Sequence, residues 1–349
     1  MPPALGDGWA IAAPSDVGLD VDRLSGLDAF LRQWPKHNVH AVVVVRRGKL
    51  VFEQYFSGRE RRWMDWGEVV QFSPTQRHDV RSISKSVVSL LVGTAVSENG
   101  FPPLDSPVVD YFPEYTDRRS ARKRPITFRH LLTMSHGLRW DENRSWKSRA
   151  NDERQLFEAK DPCRYALDQP VAIPPGLSFN YSGGATTLLA AALAKAVGRR
   201  IDAYAAEKLF QPLGIADVEW LSFAGCDEVA AFAGLRLRAR DLAKLGQLVA
   251  DEGRWNGRQL LPASWIAEST TPHVNAEGNG ALYYGYHWWL GRSLLNDRDL
   301  NWIAGFGSGG QRLFVLPKLD LVVAVNAFNY RHHVPMAILN RFVLPAVKD

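Results

Sequence analysis

Ser82-Ile83-Ser84-Lys85 sets a hydroxyl and an amine three residues apart, the spacing at which two side chains share one face of a helix. Such a pair can supply a nucleophile and the base that activates it. From 83 to 96 the apolar residues Ile83, Val87, Val88, Leu90, Leu91, Val92, Ala95 and Val96 surround nearly the whole circumference, which predicts a central helix. Ser82 then stands at the positive end of the helix dipole, and Lys85 projects from the same face one turn on. Held among apolar side chains, the Lys85 ammonium is disfavoured, so its pKa is expected to fall from about 10.4 and the amine to accept the serine proton. The structural alternative is an N-capping serine with a lysine that snorkels to solvent. Spacing alone does not choose, because Ser120 and Lys123 repeat it inside the basic run 118–124. Position does choose: only Ser82 opens a buried helix.

A second group is Phe179-Asn180-Tyr181-Ser182-Gly183, delivered by the turn Pro174-Pro175-Gly176 just before a helical pattern that begins at Ala185. A phenol near an ammonium ionises more easily and can relay protons to a leaving group, although a loop tyrosine also serves as half-buried packing. A third group is Gly305-Phe306-Gly307-Ser308-Gly309-Gly310-Gln311, which runs into a β-rich stretch at 312–317. Its nominal GxGxxG does not open a helix, so dinucleotide binding is excluded. Glycines at a strand start let backbone N–H groups approach a substrate oxygen, as an oxyanion hole requires; a bulge or tight turn is the alternative. Trp140 and Asp141, and Tyr286 within the aromatic run 283–289, are further candidates for lining a pocket. His332 and His333 are adjacent rather than four apart, which is the wrong spacing for a metal site on a helix.

The elements that must position these residues follow from periodicity. The stretch 40–56 has two β-rich runs about Gly48, a hairpin whose first strand is buried on both faces. Residues 100–270 alternate helical patterns (128–134, 185–197, 203–209, 239–252) with Pro and Gly breaks. β-Rich runs return at 283–292, 311–317 and 321–327, before a terminal helix at 335–347. The expected fold is α/β of the α+β type: an antiparallel sheet built from both chain ends (1–100 and 271–349), flanked by helices, with a mostly helical domain at 101–270 and the cleft between them.

Composition narrows the function classes. Of 349 residues, 46% are hydrophobic and 23% charged, as in a packed enzyme-sized fold and unlike a disordered or fibrous chain. The net charge of +5 comes from interspersed charges, and its one basic run lacks aromatic residues, so no nucleic-acid partner is expected. Two cysteines, Cys163 and Cys226, are too few for a disulfide framework and lack metal-knuckle spacing. With no signal-peptide pattern at the start and no long apolar segment, a cytoplasmic protein away from membranes is expected.

Taken in order, the three groups resemble the class C β-lactamase and penicillin-binding superfamily of serine hydrolases. The resemblance extends over nearly the whole chain, through RSISKSVVSLLV at 81–92, LDSPV at 104–108 with YFP at 111–113, ITFRHLLTMSHG at 126–137, 174–183 and 309–317. Within it the chain is most similar to the esterase and amidase branch that includes 6-aminohexanoate-dimer hydrolase-like proteins. The resemblance implies Ser82 as nucleophile, Lys85 as partner base, Tyr181 as proton relay, and the backbone N–H groups of Ser82 and Ser308 as the oxyanion hole, with no metal or organic cofactor. Whether Lys85 or Tyr181 is the general base stays open, since coupled sites titrate as a pair. Two departures redirect the chemistry. The Tyr-x-Asn of β-lactamases is Tyr181-Ser182-Gly183 here, and the Lys-Thr-Gly of the sheet edge is Gly305-Phe306-Gly307, so an amide and a carboxylate-binding cation are missing. The expectation is therefore hydrolysis of a small ester or amide, with Gly305, Phe306 and Gly307 beside the substrate. Two rivals stand beside it: β-lactamase or D-Ala-D-Ala peptidase activity, and a catalytically silent binding protein of the same fold.

Overall fold

The apolar run at 41–45 leaves nothing to face water, and the strand it forms, Val39–Arg46, is buried along its whole length. It turns back through Arg47 and Gly48, whose φ values are 51° and 71°, into Lys49–Tyr55. On its other side it pairs with Leu321–Ala327, from the far end of the chain. In the computed structural model, which describes residues 1–34, 36–118, 121–277, 281–330 and 333–348, these strands belong to a nine-stranded sheet. Beyond Leu321–Ala327 follow Gln311–Leu316, Arg298–Gly307 and Trp289–Leu295. Short strands Tyr283–Tyr284 and Val274–Asn275 finish that edge, and Ala10–Ile11 finishes the other. Among the described residues only the pairing of Ala10–Ile11 with Lys49–Tyr55 is parallel. The fold is the expected mixed one, a mostly antiparallel sheet flanked by helices.

Alternation decides what each face of the sheet meets. Val43, Val45, Leu313, Val315 and Ala324 point to one side, into a core shared with the helices Ile83–Ser97, Gly183–Val197 and Ala239–Ala250. Val42, Val44, Phe314, Val323 and Val325 point to the other, against the helices Val21–Ser25 and Leu27–Arg32 and the C-terminal helical segment. Ile83–Ser97 is buried from Ile83 to Ala95, as its all-round apolar pattern predicts, and the chain leaves it through Asn99 in the left-handed region. Gly183–Val197 packs beside it. Its start is capped by the Ser182 hydroxyl, which accepts from the Ala185 N–H at 3.2 Å, and its end by Gly198. No helix among the described residues is long and apolar enough to cross a membrane.

Several elements differ from expectation. The aromatic run 283–292 is two strands rather than one, broken at Gly285 and at His287, whose φ is 61°. The glycine-rich segment is not only a strand start: it ends a ten-residue strand, Arg298–Gly307, whose alternation is masked by charges at its exposed end. A hairpin, Ser57–Arg62 with Asp65–Gln71, stands largely exposed, so no apolar stripe announced it. Within the stretch read as helical, Leu235–Arg238 and Glu219–Trp220 are strands, which join Arg77–Asp79 in a separate three-stranded sheet. Ser120 and His332 lie outside the described residues.

Candidate active site

The start of the buried helix is held from three sides. The Val80 N–H donates to the Leu235 carbonyl at 3.0 Å. The Ser84 hydroxyl donates to the Arg81 carbonyl at 2.6 Å and accepts from the Leu235 N–H at 3.2 Å. Between them Arg81 is in the left-handed region, with φ 53°, a conformation costing a non-glycine residue on the order of 1 kcal/mol. Its guanidinium is fixed by Asp79 at 3.5 Å and by the Trp63 carbonyl. The next residue, Ser82, enters the helix without using its side chain as a cap. Its hydroxyl instead accepts from the Lys85 ammonium, Nζ to Oγ 3.0 Å, and the same Nζ donates to the Phe232 carbonyl at 3.1 Å. Lys85 is wholly buried and does not snorkel.

One expectation about this lysine is corrected. Burial is the largest influence and pushes its pKa down, as predicted, but Tyr181, Glu142 and Glu153 together outweigh it and hold the ammonium above the ordinary lysine value. The Tyr181 phenol is also raised, by burial first, with Lys85 and the Ser82 hydroxyl pulling the other way. At rest both groups carry their protons. Glu153 is pushed up to about 7, by burial and then by Glu142, against the pull of Lys85 and Arg81.

Tyr181 reaches the pair from a loop that is itself pinned. The Asn180 N–H donates to the Met134 carbonyl at 2.7 Å, and the Asn180 amide to the Leu138 carbonyl at 3.1 Å. Lys85 Nζ lies 4.7 Å from the centre of the Tyr181 ring. The tyrosine ring also stacks on Trp289, at 5.5 Å and 29°, and Trp289 stacks on Phe306 at 5.5 Å and 20°. Where a Tyr-x-Asn motif would bring an amide, the Gly183 N–H donates to the Glu142 carboxylate at 2.8 Å, and the same oxygen accepts from the Trp140 indole at 2.7 Å.

These elements enclose a cavity of about 580 Å³ whose lining includes Ser82, Tyr181, Phe306, Gly307 and Ser308. Lys85 forms its floor through Ser82. The other expected pocket residues lie elsewhere. Trp140 is buried behind the wall, because Gly184 has no side chain; a Cβ there would sit 2.8 Å from the indole. Asp141 turns to Arg144, Nε to Oδ2 2.6 Å. Gly305 faces the helix, where a Cβ would meet Ile83 Cγ2 at 2.9 Å. Tyr286 is buried with its hydroxyl on Glu268, 2.9 Å away, and its ring on His273. Lys123, of the competing Ser-x-x-Lys, donates to the Leu167 carbonyl and is absent from the cavity lining. Sequence reasoning missed Trp63, Glu142, Glu153, Arg61 and Arg312, which all line the cavity. Glu142 was one residue from a suspected position, while the others lacked any motif.

The chain matches the protein-family model described as Beta-lactamase over residues 27–348. It is 23% identical, over 338 residues, to the 6-aminohexanoate-dimer hydrolase of Paenarthrobacter ureafaciens, covering 89% of this chain and 78% of that protein. Among solved structures, a family VIII carboxylesterase superposes with a TM-score of 0.72 at 17% identity, covering 97% of this chain and 99% of that one. The octameric penicillin-binding protein homologue from Pyrococcus abyssi gives 0.72 at 19% identity, covering 92% and 77%. With the family model spanning nearly the whole sequence, the chain belongs to the β-lactamase family of serine hydrolases.

Proposed function

We propose that this hydrolase cleaves small esters or amides through an acyl-enzyme on Ser82. The observation that carries the reading is the 3.0 Å bond from Lys85 Nζ to Ser82 Oγ at the floor of a cavity also lined by Tyr181 and Ser308. Loss of one proton from the Lys85–Tyr181 pair creates the base. Ser82 Oγ then gives up its proton to that pair and bonds to the substrate carbonyl carbon, whose oxygen takes the negative charge. The backbone N–H groups of Ser82 and Ser308 stabilise that charge. Collapse breaks the bond to the leaving oxygen or nitrogen, which takes the proton back through Tyr181. Water adds to the acyl group by the same steps in reverse and frees Ser82.

The ester or amide class is supported by the absence of a lysine from 305–307 and by similarity to proteins named as a carboxylesterase and an aminohexanoate-dimer hydrolase. A hydroxyl not used as a cap and an ammonium aimed at it speak against a silent binding protein. As further parts of this reading, the chain divides into a sheet-bearing domain from both ends and a helical one at 101–270, though the helix Ala239–Ala250 packs on the sheet. The two free cysteines favour a cytoplasmic setting. The test is a panel of p-nitrophenyl esters and short amides with a fluorophosphonate probe. Turnover and labelling that both vanish in Ser82→Ala support the reading; turnover that survives in that variant overturns it.

A further inference from the structure

The hairpin Ser57–Arg62 with Asp65–Gln71 adds almost nothing to the core, since among its strand residues only Gly58 is buried. A lone two-stranded hairpin is marginal in water, so this one must be held at its ends. At the base, the Arg59 N–H donates to the Asn38 side-chain oxygen at 3.0 Å. The tip is fastened more heavily. Its turn residues, Trp63 and Met64, line the catalytic cavity, and Trp63 is buried. The Trp63 N–H donates to Asp79 Oδ2 at 2.6 Å, and its carbonyl accepts from the Arg81 guanidinium, which lies 5.0 Å from the indole ring centre. Its φ of 52° is rare for so large a residue, and such strain persists only where the surroundings over-determine it. The indole packs among Phe157, Trp146 and Phe232, with ring centres 4.4, 5.9 and 6.0 Å away. A tip held by its backbone, a guanidinium and three rings is a fixed wall of the cavity.

Two aromatic walls thus bound the cavity that holds Ser82. One is the stack of Tyr181, Trp289 and Phe306, which begins at the group that returns a proton to the leaving atom. The other is Trp63 with Trp146, backed by Phe232, whose carbonyl takes the Lys85 ammonium. A carbonyl carbon carries its acyl chain and its leaving group on different sides. A leaving atom held at Tyr181 therefore turns the acyl chain toward the wall that the hairpin tip builds.

We propose that Trp63, at the tip of this hairpin, is a specificity-determining residue that limits the length of the acyl chain: short acyl groups fit against the indole, and longer ones collide with it. The proposal rests on the hydrolase reading above. p-Nitrophenyl butyrate and p-nitrophenyl octanoate share a leaving group and isolate the acyl side. The wild-type protein is expected to favour the butyrate in kcat/KM, and Trp63→Ala to lower that preference about 10- to 100-fold. The change should come from faster turnover of the octanoate, a gain that partial unfolding cannot imitate, because removing the indole leaves space that the wall closes only in part. Trp63→Phe should shift the ratio in the same direction by less. Val69→Ala, on the same hairpin but 69% exposed, should leave it unchanged. A ratio unchanged in Trp63→Ala, or in Trp63→Phe should the alanine variant not fold, overturns the proposal. So does a wild-type preference for the octanoate, or a Trp63→Ala effect confined to the alcohol portion, read as the ratio between phenyl butyrate and 1-naphthyl butyrate. If no ester shows Ser82-dependent turnover, the hydrolase reading itself fails, which is a separate result.

Discussion

Lys85 and Lys244 are both wholly buried, both lie on a helix, and both follow an oxygen-bearing side chain by three residues, although Lys85 is in the first turn and Lys244 is mid-helix. Their surroundings differ in what the ammonium touches. Lys244 meets the Asp241 carboxylate at 3.1 Å and the Gly214 carbonyl at 3.1 Å, and neither Lys244 nor Asp241 lines the cavity. Lys85 meets a neutral hydroxyl at 3.0 Å beside a cavity, with Glu142 and Glu153 acting on it only through space. Burial and spacing are therefore common to a structural ion pair and to a candidate catalytic pair. The partner's chemistry and its access to substrate separate them: a carboxylate completes a buried ion pair, whereas a hydroxyl is a group whose proton can be moved.

The comparison breaks most visibly through activity. Lys85→Ala and Ser82→Ala should each lower kcat/KM for p-nitrophenyl butyrate ~10³-fold or more, followed by release of p-nitrophenol. Lys244→Met should leave turnover per folded molecule close to wild type. Its effect belongs to stability: removing one partner strands Asp241 in the core, and urea unfolding should show a loss of about 3–5 kcal/mol, largely recovered in Asp241→Asn/Lys244→Met. Activity lost in Lys244→Met without loss of folding would erase the distinction.

Protonation sharpens it further. Lys85 and Tyr181 are both raised, so the pair still holds its protons at neutral pH. kcat/KM should rise with pH on the alkaline side of neutrality as one proton leaves, and a profile already flat at pH 7 would contradict this. The smallest effect concerns Glu153. Its folded pKa, about 7, lies above the ordinary value of 4.5. A group raised in this way favours the folded state fully below the unfolded pKa and loses that contribution as pH rises through the folded one. Stability against urea should thus fall between about pH 4.5 and 7 for the wild type relative to Glu153→Gln. Parallel curves for the two proteins would show that Glu153 is not raised.

The sequence displayed what depends on periodicity and local chemistry. The buried hairpin strand, the all-round apolar helix after Ser82 and the loop that carries Tyr181 were legible because each is encoded within a few consecutive residues. What escaped depends on contacts between distant segments. The Ser57–Gln71 hairpin buries too little to show a pattern, and Arg61 and Trp63 went with it. Trp140 is a pocket candidate by type, yet a missing side chain at Gly184 draws it into the wall. The Lys85 pKa was misjudged for a similar reason: burial is visible in the apolar neighbours along one helix, whereas Glu142 and Glu153 arrive from another part of the chain. Arg312 was read as an ordinary strand residue, since only strand pairing sets it beside Phe306.

The central claim, covalent catalysis at Ser82, is tested most directly by trapping the intermediate. The protein is mixed with p-nitrophenyl butyrate, quenched in acid within the turnover time, digested and analysed by mass spectrometry. The account predicts a butyryl adduct on the peptide bearing Ser82, absent from Ser82→Ala and from Lys85→Ala at the same time point. An adduct on another residue, or turnover with an adduct that persists in Ser82→Ala, would contradict it.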